Sequence, residues 1–220
     1  MSRMHQKQDF TWLLFALLVF LIVIPVGEDM GLLSGVAMRA IVFSWLLTFG
    51  IWSLRGFGKL FRLGMAFAVA GIIFNILAAT LNSRIYFLAS FTAVFCFILV
   101  AVWCTANQIV HDREISANRV IGTMSLYLLL GLMWAVAYAI LEMLTPGAFS
   151  GLVEPLSQGW SSEWLYFSFV TMTTLGYGDI TPITAIARTL AYMQAIFGQF
   201  YIAIVVAGLV SAYITEQRLT

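Results

Sequence analysis

Continuous apolar stretches limit what this chain can fold into more than any other feature of its sequence. Crossing the hydrocarbon core of a membrane takes about 20 mainly apolar residues in a helix. Six stretches reach or approach that length: 10–26, 32–52, 64–81, 85–105, 120–143 and 185–213. They are continuous rather than alternating in hydrophobicity, which argues against a β-barrel. The sequence therefore predicts an all-α integral membrane protein with six transmembrane helices.

The composition leaves little material for a water-facing surface. Hydrophobic residues make up 62% of the 220 residues and charged residues 10%. Soluble domains carry about a quarter charged residues, so most of this chain must face lipid or protein. The formal net charge of +1 provides no basic surface, and no nucleic-acid partner is predicted. Cys96 and Cys104 lie about 12 Å apart on one predicted helix, which is too far for a disulfide.

Basic residues near the helix ends predict the orientation in the membrane. They occur at Arg3 and Lys7, at Arg55, Lys59 and Arg62, and at Arg113 and Arg119. Under the positive-inside rule this distribution places both termini in the cytoplasm and residues 144–184 outside. The first stretch lacks a convincing cleavage site, so we expect a retained helix rather than a signal peptide. The predicted location is a plasma or inner membrane, crossed several times.

The predicted helices fall into two modules. Residues 1–105 form a four-helix module, and a polar cytoplasmic linker, 106–119, leads to a second module over 120–216. The second module consists of an outer helix 120–143, an outer loop 144–160, a short apolar segment 161–173 and an inner helix 185–213. The short segment cannot cross the membrane and is predicted to be a re-entrant half-helix, capped by Ser161 or Ser162 and with Glu163 in its first turn.

The stretch that follows the half-helix carries the chemistry. Irregular backbone at membrane depth is tolerated only where protein buries it or where it lines a water-filled path. Gly176 and Gly178 adopt positive φ at little cost, so successive carbonyl oxygens can point to one side, joined by the Thr174 hydroxyl. A single column of oxygens cannot surround a cation, whereas four copies around an axis can replace its hydration shell. This arrangement predicts a closed homotetramer.

The stretch Thr174-Leu175-Gly176-Tyr177-Gly178-Asp179, between two spanning helices, resembles the selectivity filter of the potassium channel family. The resemblance covers about 120–216, and the first four helices match only in number and topology. It implies a passively conducted ion, K⁺, and no other cofactor. The implied K⁺ ligands are the backbone carbonyls of Thr174, Leu175, Gly176, Tyr177 and Gly178, with the Thr174 hydroxyl.

The resemblance also implies residues that support the filter. Asp179 is expected to accept a hydrogen bond from the half-helix, with Tyr166 at the position that often holds a tryptophan donor. The alternative is that Asp179 is a hydrated charge at the outer mouth. Val170 stands where some members have a carboxylic acid, and Phe167 lacks a donor that some members aim at the filter tyrosine. These two departures concern the rigidity of the filter more than its choice of ion.

One face of the inner helix repeats every three to four residues. By resemblance it lines the cavity and gate, and it consists of Gln199, Ile202, Val206, Val210 and Ile214. Gln199 is expected nearest the filter, and the last three residues are expected to form a constriction that blocks ions by dewetting. The alternative is that they pack against lipid or the preceding helix. Gly198 is either a hinge or a site of close helix packing.

The first four helices lack the charges of a voltage sensor. Each charge that crosses the field contributes about 2.3 kcal/mol per 100 mV, so steep gating requires several. The fourth stretch contains no Lys or Arg, and Arg84 only precedes it. Arg39, within the second stretch, is isolated and is interpreted as a snorkelling or paired arginine. Opening is therefore predicted to depend weakly or not at all on voltage.

Other functions fit the sequence less well than a potassium channel. The nearest alternative function is a sodium-conducting or non-selective channel of the same architecture, although the intact Gly176-Tyr177-Gly178 argues against it. Gly176 to Asp179 also fits the signature of an intramembrane aspartyl protease, but such an enzyme needs two carboxylates that share a proton. A transporter subunit would carry four pore-like repeats, whereas this chain has one. The sequence predicts no enzyme, and it does not identify a gating stimulus.

Overall fold

A computed structural model describes most of the chain and shows a helical bundle. The described residues are 10–31, 58–81, 83–111, 117–152, 160–208, 210–211 and 214. The long helices are α1 (Phe10–Asp29), α2 (Gly58–Leu81), α3 (Arg84–His111) and α4 (Ala117–Leu144). They are followed by β1 (Phe149–Ser150), α5 (Glu163–Met172), β2 (Thr181–Pro182) and α6 (Ala185–Phe200), which continues as a π-helical segment, Tyr201–Val206.

Within the described residues, five helices are long and apolar enough to cross a membrane. They coincide with five of the six predicted spans, and the second span, 32–52, lies outside the described residues together with Arg39. Helices α1 to α4 extend beyond the apolar stretches that predicted them. For example, α3 continues to His111, because polar residues such as Asn107 and Gln108 are compatible with a helix end that reaches the membrane interface.

Helix α4 is the centre of the bundle, since α1, α3, α5 and α6 all pack against it. Its buried side chains are small on one face, where Ala135 and Ala139 are fully buried and let neighbouring helices approach closely. Small residues of this kind are typical of helix packing in membranes, where van der Waals contact rather than the hydrophobic effect holds helices together. The half-helix α5 and the inner helix α6 are thus positioned by one common element.

Helix α1 contacts the start of α4 at one end and the start of α5 at the other. At one end, the Phe10 amide donates a hydrogen bond to Asn118 Oδ1 over 2.8 Å. At the other end, Glu28 Oε2 accepts one from the Ser162 amide at the start of α5 over 2.9 Å. The sequence analysis predicted that α1 belongs to the four-helix module 1–105. Its contacts with α4 and α5 therefore connect that module directly to the second one. The grouping itself stays a prediction, since residues 32–57 are not described.

A short β-ribbon lies beside the C-terminal end of α4. Strands β1 and β2 pair antiparallel, with Phe149 opposite Pro182 and Ser150 opposite Thr181. The carboxylate of Glu142, at the end of α4, accepts hydrogen bonds from the Gly147 amide over 2.7 Å and the Phe149 amide over 3.1 Å. The ribbon therefore connects the chain that follows residues 174–178 to the C-terminal end of α4.

Candidate functional site

The half-helix α5 begins where the sequence predicted a cap. Ser161 Oγ accepts a hydrogen bond from the Glu163 amide over 3.2 Å, whereas the side chain of Ser162 makes no capping bond. The Ser162 amide is satisfied instead by the Glu28 carboxylate from α1. The helix therefore starts at Glu163 rather than at 161, with two acidic side chains near its positive end.

Aromatic rings fix α5 against the rest of the module. The Phe167 ring lies 4.9 Å from that of Tyr138 on α4 and 5.3 Å from that of Phe149 on β1, both edge-on. Trp164 is buried and contacts Phe149 in the same way at 5.3 Å. Edge-to-face pairs are favourable arrangements for aromatic rings. Phe167 is thus part of the packing that holds α5 in place.

The chain reverses direction directly after α5. The amides of Leu175 and Gly176 both donate to the carbonyl oxygen of Val170, over 2.9 and 3.3 Å. The Thr174 amide donates to Thr171 O over 3.0 Å. Residues 174–178 are consequently anchored at their start to the carbonyl end of α5, where the helix dipole places partial negative charge.

Backbone conformation alternates along residues 174–178. Positive φ occurs at Thr174 (59°), Gly176 (57°) and Gly178 (82°), that is, at every second residue. The sequence predicted this conformation at the two glycines but not at Thr174. A β-branched residue at positive φ is strained, and such strain concentrates at functional sites.

Thr174 also contacts the inner helix. Its Oγ1 accepts a hydrogen bond from Gln199 Nε2 over 3.3 Å. In the single chain, residues 174–179 are all exposed, including 56% of Leu175 and 68% of Tyr177. Exposed apolar residues in a membrane protein require lipid or a further protein surface around them.

Tyr166 and Asp179 form a hydrogen-bonded pair beside residues 174–178. The Tyr166 hydroxyl donates to Asp179 Oδ2 over 2.5 Å, and the Tyr166 ring stacks parallel to that of Tyr177 at 6.4 Å. Asp179 Oδ1 also accepts from the Ile180 amide over 3.0 Å. The hydrogen bond from Tyr166 lowers the pKa of Asp179, and the same bond raises the pKa of Tyr166 to about 12.

The inner-helix residues do not all share one environment. Ile202 and Ile214 are exposed, whereas Val206 and Val210 are half-buried. Val206 packs against the apolar cluster that α1 and α4 form, which is the packing alternative that the sequence left open. Ile202 and Val206 lie within the π-helical segment, which is closed over five residues instead of four, so the α-helical spacing that grouped these residues does not hold there.

Gly198 lies at the contact between α6 and the end of α5. It is buried, and a Cβ atom at this position would lie 2.3 Å from the carbonyl oxygen of Met172. The contact favours close packing as the reason for a glycine here, since no larger residue fits without moving the backbone of α5.

Sequence reasoning missed three polar residues of this region. Tyr138, Ser168 and Gln194 are buried and hydrogen-bonded to one another, and they connect α4, α5 and α6. A glutamine and a tyrosine inside apolar stretches were the available signal, because polar side chains within membrane helices face protein partners. The contact of Glu28 with the Ser162 amide carries no local sequence signal, because the two residues lie 134 positions apart.

Comparison with known proteins places the same region in a family. A family model described as an ion channel matches residues 126–215. Protein LctB of Geobacillus stearothermophilus is 31% identical over 125 residues, which cover 54% of this chain and 90% of that protein. The inward rectifier potassium channel Kirbac3.1 of Paramagnetospirillum magnetotacticum is 33% identical over 95 residues, covering 41% of this chain and 28% of that protein.

Plant relatives match over a shorter segment. Two-pore potassium channel 3 of Arabidopsis thaliana is 45% identical over 54 residues, which cover 24% of this chain and 12% of that protein. The chain thus spans only a small part of the plant relative, in contrast to LctB. No solved structure matches the chain significantly.

The packing at Gly198 predicts the effect of adding one methyl group. Gly198→Ala should lower the free energy of unfolding of the purified protein by about 1–3 kcal/mol, because the new Cβ overlaps the Met172 carbonyl. Gly208→Ala is the matched control, since nothing lies within 4 Å of its Cβ position. In that control, alanine should stabilise the helix by up to about 1 kcal/mol. Equal stabilisation by both substitutions would show that Gly198 is not needed for packing.

The Tyr166–Asp179 bond predicts a pH-dependent difference in stability. Tyr166→Phe should lower the melting temperature by a constant amount between about pH 5 and 9. The difference in melting temperature between the unmodified protein and the variant should narrow as pH rises from 10 towards 12. Tyr166 ionises in this range because its pKa is raised, and the hydrogen bond then no longer stabilises the folded state. It should also narrow in acid, as pH falls through the lowered pKa of Asp179.

Asp179→Asn provides the control for this measurement. In that background the effect of Tyr166→Phe should no longer narrow in acid and should narrow less at high pH, since the charged acceptor is gone. A profile of the same shape in both backgrounds would assign the effect to another titrating group.

Proposed function

The chain belongs to the potassium channel family, and on that premise we propose that it is a potassium-selective channel whose filter is formed by residues 174–178. Four copies of the chain surround one axis, and K⁺ crosses the membrane passively along it. The ligands are the carbonyl oxygens of Thr174, Leu175, Gly176, Tyr177 and Gly178, together with the Thr174 hydroxyl. The observation that carries the proposal is the positive φ at every second residue of this segment.

This alternation supports a column of ligands. A strand of uniform conformation directs successive carbonyls to opposite sides, whereas left-handed residues at alternate positions allow them to converge on one side. Rings of such carbonyls replace the hydration shell of K⁺. The carbonyl end of α5 adds partial negative charge beside the filter, which favours a cation there.

Exposure in the single chain supports assembly into a tetramer. Residues 174–179 are exposed in the single chain, and one chain supplies only part of a ring of ligands, which cannot hold an ion. The exposed face of α6 is also apolar and includes Met193, Ile196 and Phe197. Neighbouring copies and lipid are the surroundings that this surface fits, and a closed ring satisfies every copy equally.

The remaining features of the channel follow the sequence predictions. Both termini are proposed to lie in the cytoplasm of a plasma or inner membrane. The gate is proposed at the cytoplasmic part of the inner helix, at Val206, Val210 and Ile214. Since Val206 packs on α4 in the present conformation, Val210 and Ile214 are the main candidates for a hydrophobic constriction.

Two alternatives remain distinguishable from this proposal. A sodium-conducting channel would share the architecture, so only ion discrimination separates it. A protease would need a second carboxylate within reach of Asp179. The described contacts of Asp179 are the Tyr166 hydroxyl and backbone amides, and these suit a structural acceptor.

Ion flux tests the proposal. Proteoliposomes containing the purified chain should pass K⁺ at least about a hundredfold faster than Na⁺ under equal gradients. Gly178→Asp should abolish this flux, because an L-residue with a charged side chain cannot adopt φ 82° without strain. Equal K⁺ and Na⁺ fluxes would contradict potassium selectivity, and K⁺ flux that survives Gly178→Asp would contradict the assigned filter.

The charge content of α3 predicts the voltage response. Arg84 is its single Lys or Arg, and the guanidinium donates to the carbonyl oxygen of Met143 at the outer end of α4. With no such charge inside the field along α3, the conductance–voltage curve in planar bilayers should be shallow, and Arg84→Gln should not change its slope. A steep sigmoid equivalent to several gating charges would contradict the prediction.

A further inference from the structure

A closed ring of hydrogen bonds lies behind the proposed filter. At its centre is Gln194 of α6, whose side chain is fully buried. A glutamine amide offers one carbonyl acceptor and two N–H donors. Gln194 Oε1 accepts from the Tyr138 hydroxyl over 2.5 Å, and Nε2 donates to Ser168 Oγ over 2.8 Å and to Ser168 O over 3.1 Å. Each group of the amide therefore has a partner.

The ring returns to the helix from which it started. Ser168 Oγ, besides accepting from Gln194, donates to the carbonyl oxygen of Gly131 over 2.7 Å. Gly131 and Tyr138 both belong to α4 and lie two turns apart on the same face. The bonds thus connect α4 to α6, α6 to α5, and α5 back to α4. At each step the donor belongs to the earlier helix of this sequence and the acceptor to the later one.

Such a ring restricts the relative positions of three helices. Apolar side chains slide past one another at little cost, whereas a hydrogen bond weakens steeply once its distance or angle departs from the optimum. All of the members are buried, so water cannot replace a lost partner. A displacement of α6 relative to α5 therefore leaves a polar group unpaired in an apolar environment, which is unfavourable.

The ring is connected to the filter through both α5 and α6. Along α5, Ser168 is two residues before Val170, whose carbonyl accepts the amides of Leu175 and Gly176. Along α6, Gln194 is five residues before Gln199, which donates to Thr174 Oγ1. The two helices that hold the start of the filter are consequently held together by Gln194.

We propose that Gln194 is a positioning residue for ion selectivity, which keeps α5 and α6 in the relative placement that sets the spacing of the filter carbonyls. The proposal rests on the proposed function, because it concerns selectivity at residues 174–178. Gln194 itself does not touch the ion. Its effect on selectivity passes through Ser168 and the carbonyl end of α5.

Two buried serines provide a matched test. Ser168 and Ser90 each donate to a glycine carbonyl on a neighbouring helix, over 2.7 and 3.0 Å, but Ser90 bonds Gly71 in the α2–α3 pair. Both Ser168→Ala and Ser90→Ala should lower the melting temperature, Ser168→Ala by more because it also removes a partner of Gln194. Only Ser168→Ala should lower the K⁺/Na⁺ flux ratio of proteoliposomes, severalfold. Equal ratios in the two variants would overturn the proposal.

Gln194→Leu and Tyr138→Phe complete a double-mutant cycle. Gln194→Leu should lower the flux ratio about tenfold while K⁺ flux persists, and Tyr138→Phe should lower it less. Because the short bond joins the two side chains and only a 3.5 Å contact of the Tyr138 hydroxyl with Leu190 O remains without it, Tyr138→Phe should have a much smaller effect once Gln194 is replaced. Independent, additive effects of the two substitutions would contradict a role through this ring. If Gln194→Leu does not fold, the serine pair decides the question.

A triple variant distinguishes an effect of Gln194 on selectivity from an effect on stability alone. The triple variant Tyr138→Phe/Ser168→Ala/Gln194→Leu removes the polar groups together and should recover most of the lost thermal stability, since no buried side-chain group is left unpaired. We expect its flux ratio to remain low. A ratio that follows the melting temperature through all variants would reduce Gln194 to a stability role. Unselective flux in the unmodified chain would instead contradict the proposed function.

Discussion

The need to satisfy backbone polar groups inside a membrane governs this structure. Helices meet that need internally, and five described helices of this chain are long and apolar enough to do so across a bilayer. Residues 174–178 are the exception, because their carbonyls are committed neither to a helix nor to a sheet within the chain. Exposed backbone of this kind is tolerated at membrane depth only beside water or ions. The rest of the second module serves to hold that short segment in place.

Residues 174–178 are held by contacts from distant parts of the chain. Buried packing supports them on one side, and contacts among more exposed residues support them on the other. Aromatic packing and the ring around Gln194 fix α5 from behind, where all groups are buried. On the other side, where most residues are exposed or half-exposed, the segment is held by the Tyr166–Asp179 bond and the β-ribbon. Helix α1 adds the Glu28 carboxylate at the start of α5. A mutation far from residue 174 can therefore change the conformation of residues 174–178 without touching them.

Local patterns predicted much of this arrangement. Apolar length located the helices, and the glycine spacing located the segment of unusual backbone, because each depends on neighbouring residues alone. The strained Thr174 could not be predicted, since its conformation is imposed by bonds to α5. The partners of Glu28 and Gln194 are set by tertiary packing. The environment of Val206 depends on a π-helical turn that α-helical periodicity cannot reveal.

A structure of the assembled protein in lipid nanodiscs, determined with Tl⁺ in place of K⁺ and with anomalous or difference density for the ion, would test the central idea most directly. Four copies related by one rotation axis should enclose a single file of Tl⁺ density level with residues 174–178. An assembly with another number of copies, or a four-fold assembly whose axis holds no ion density at these residues, would contradict the account.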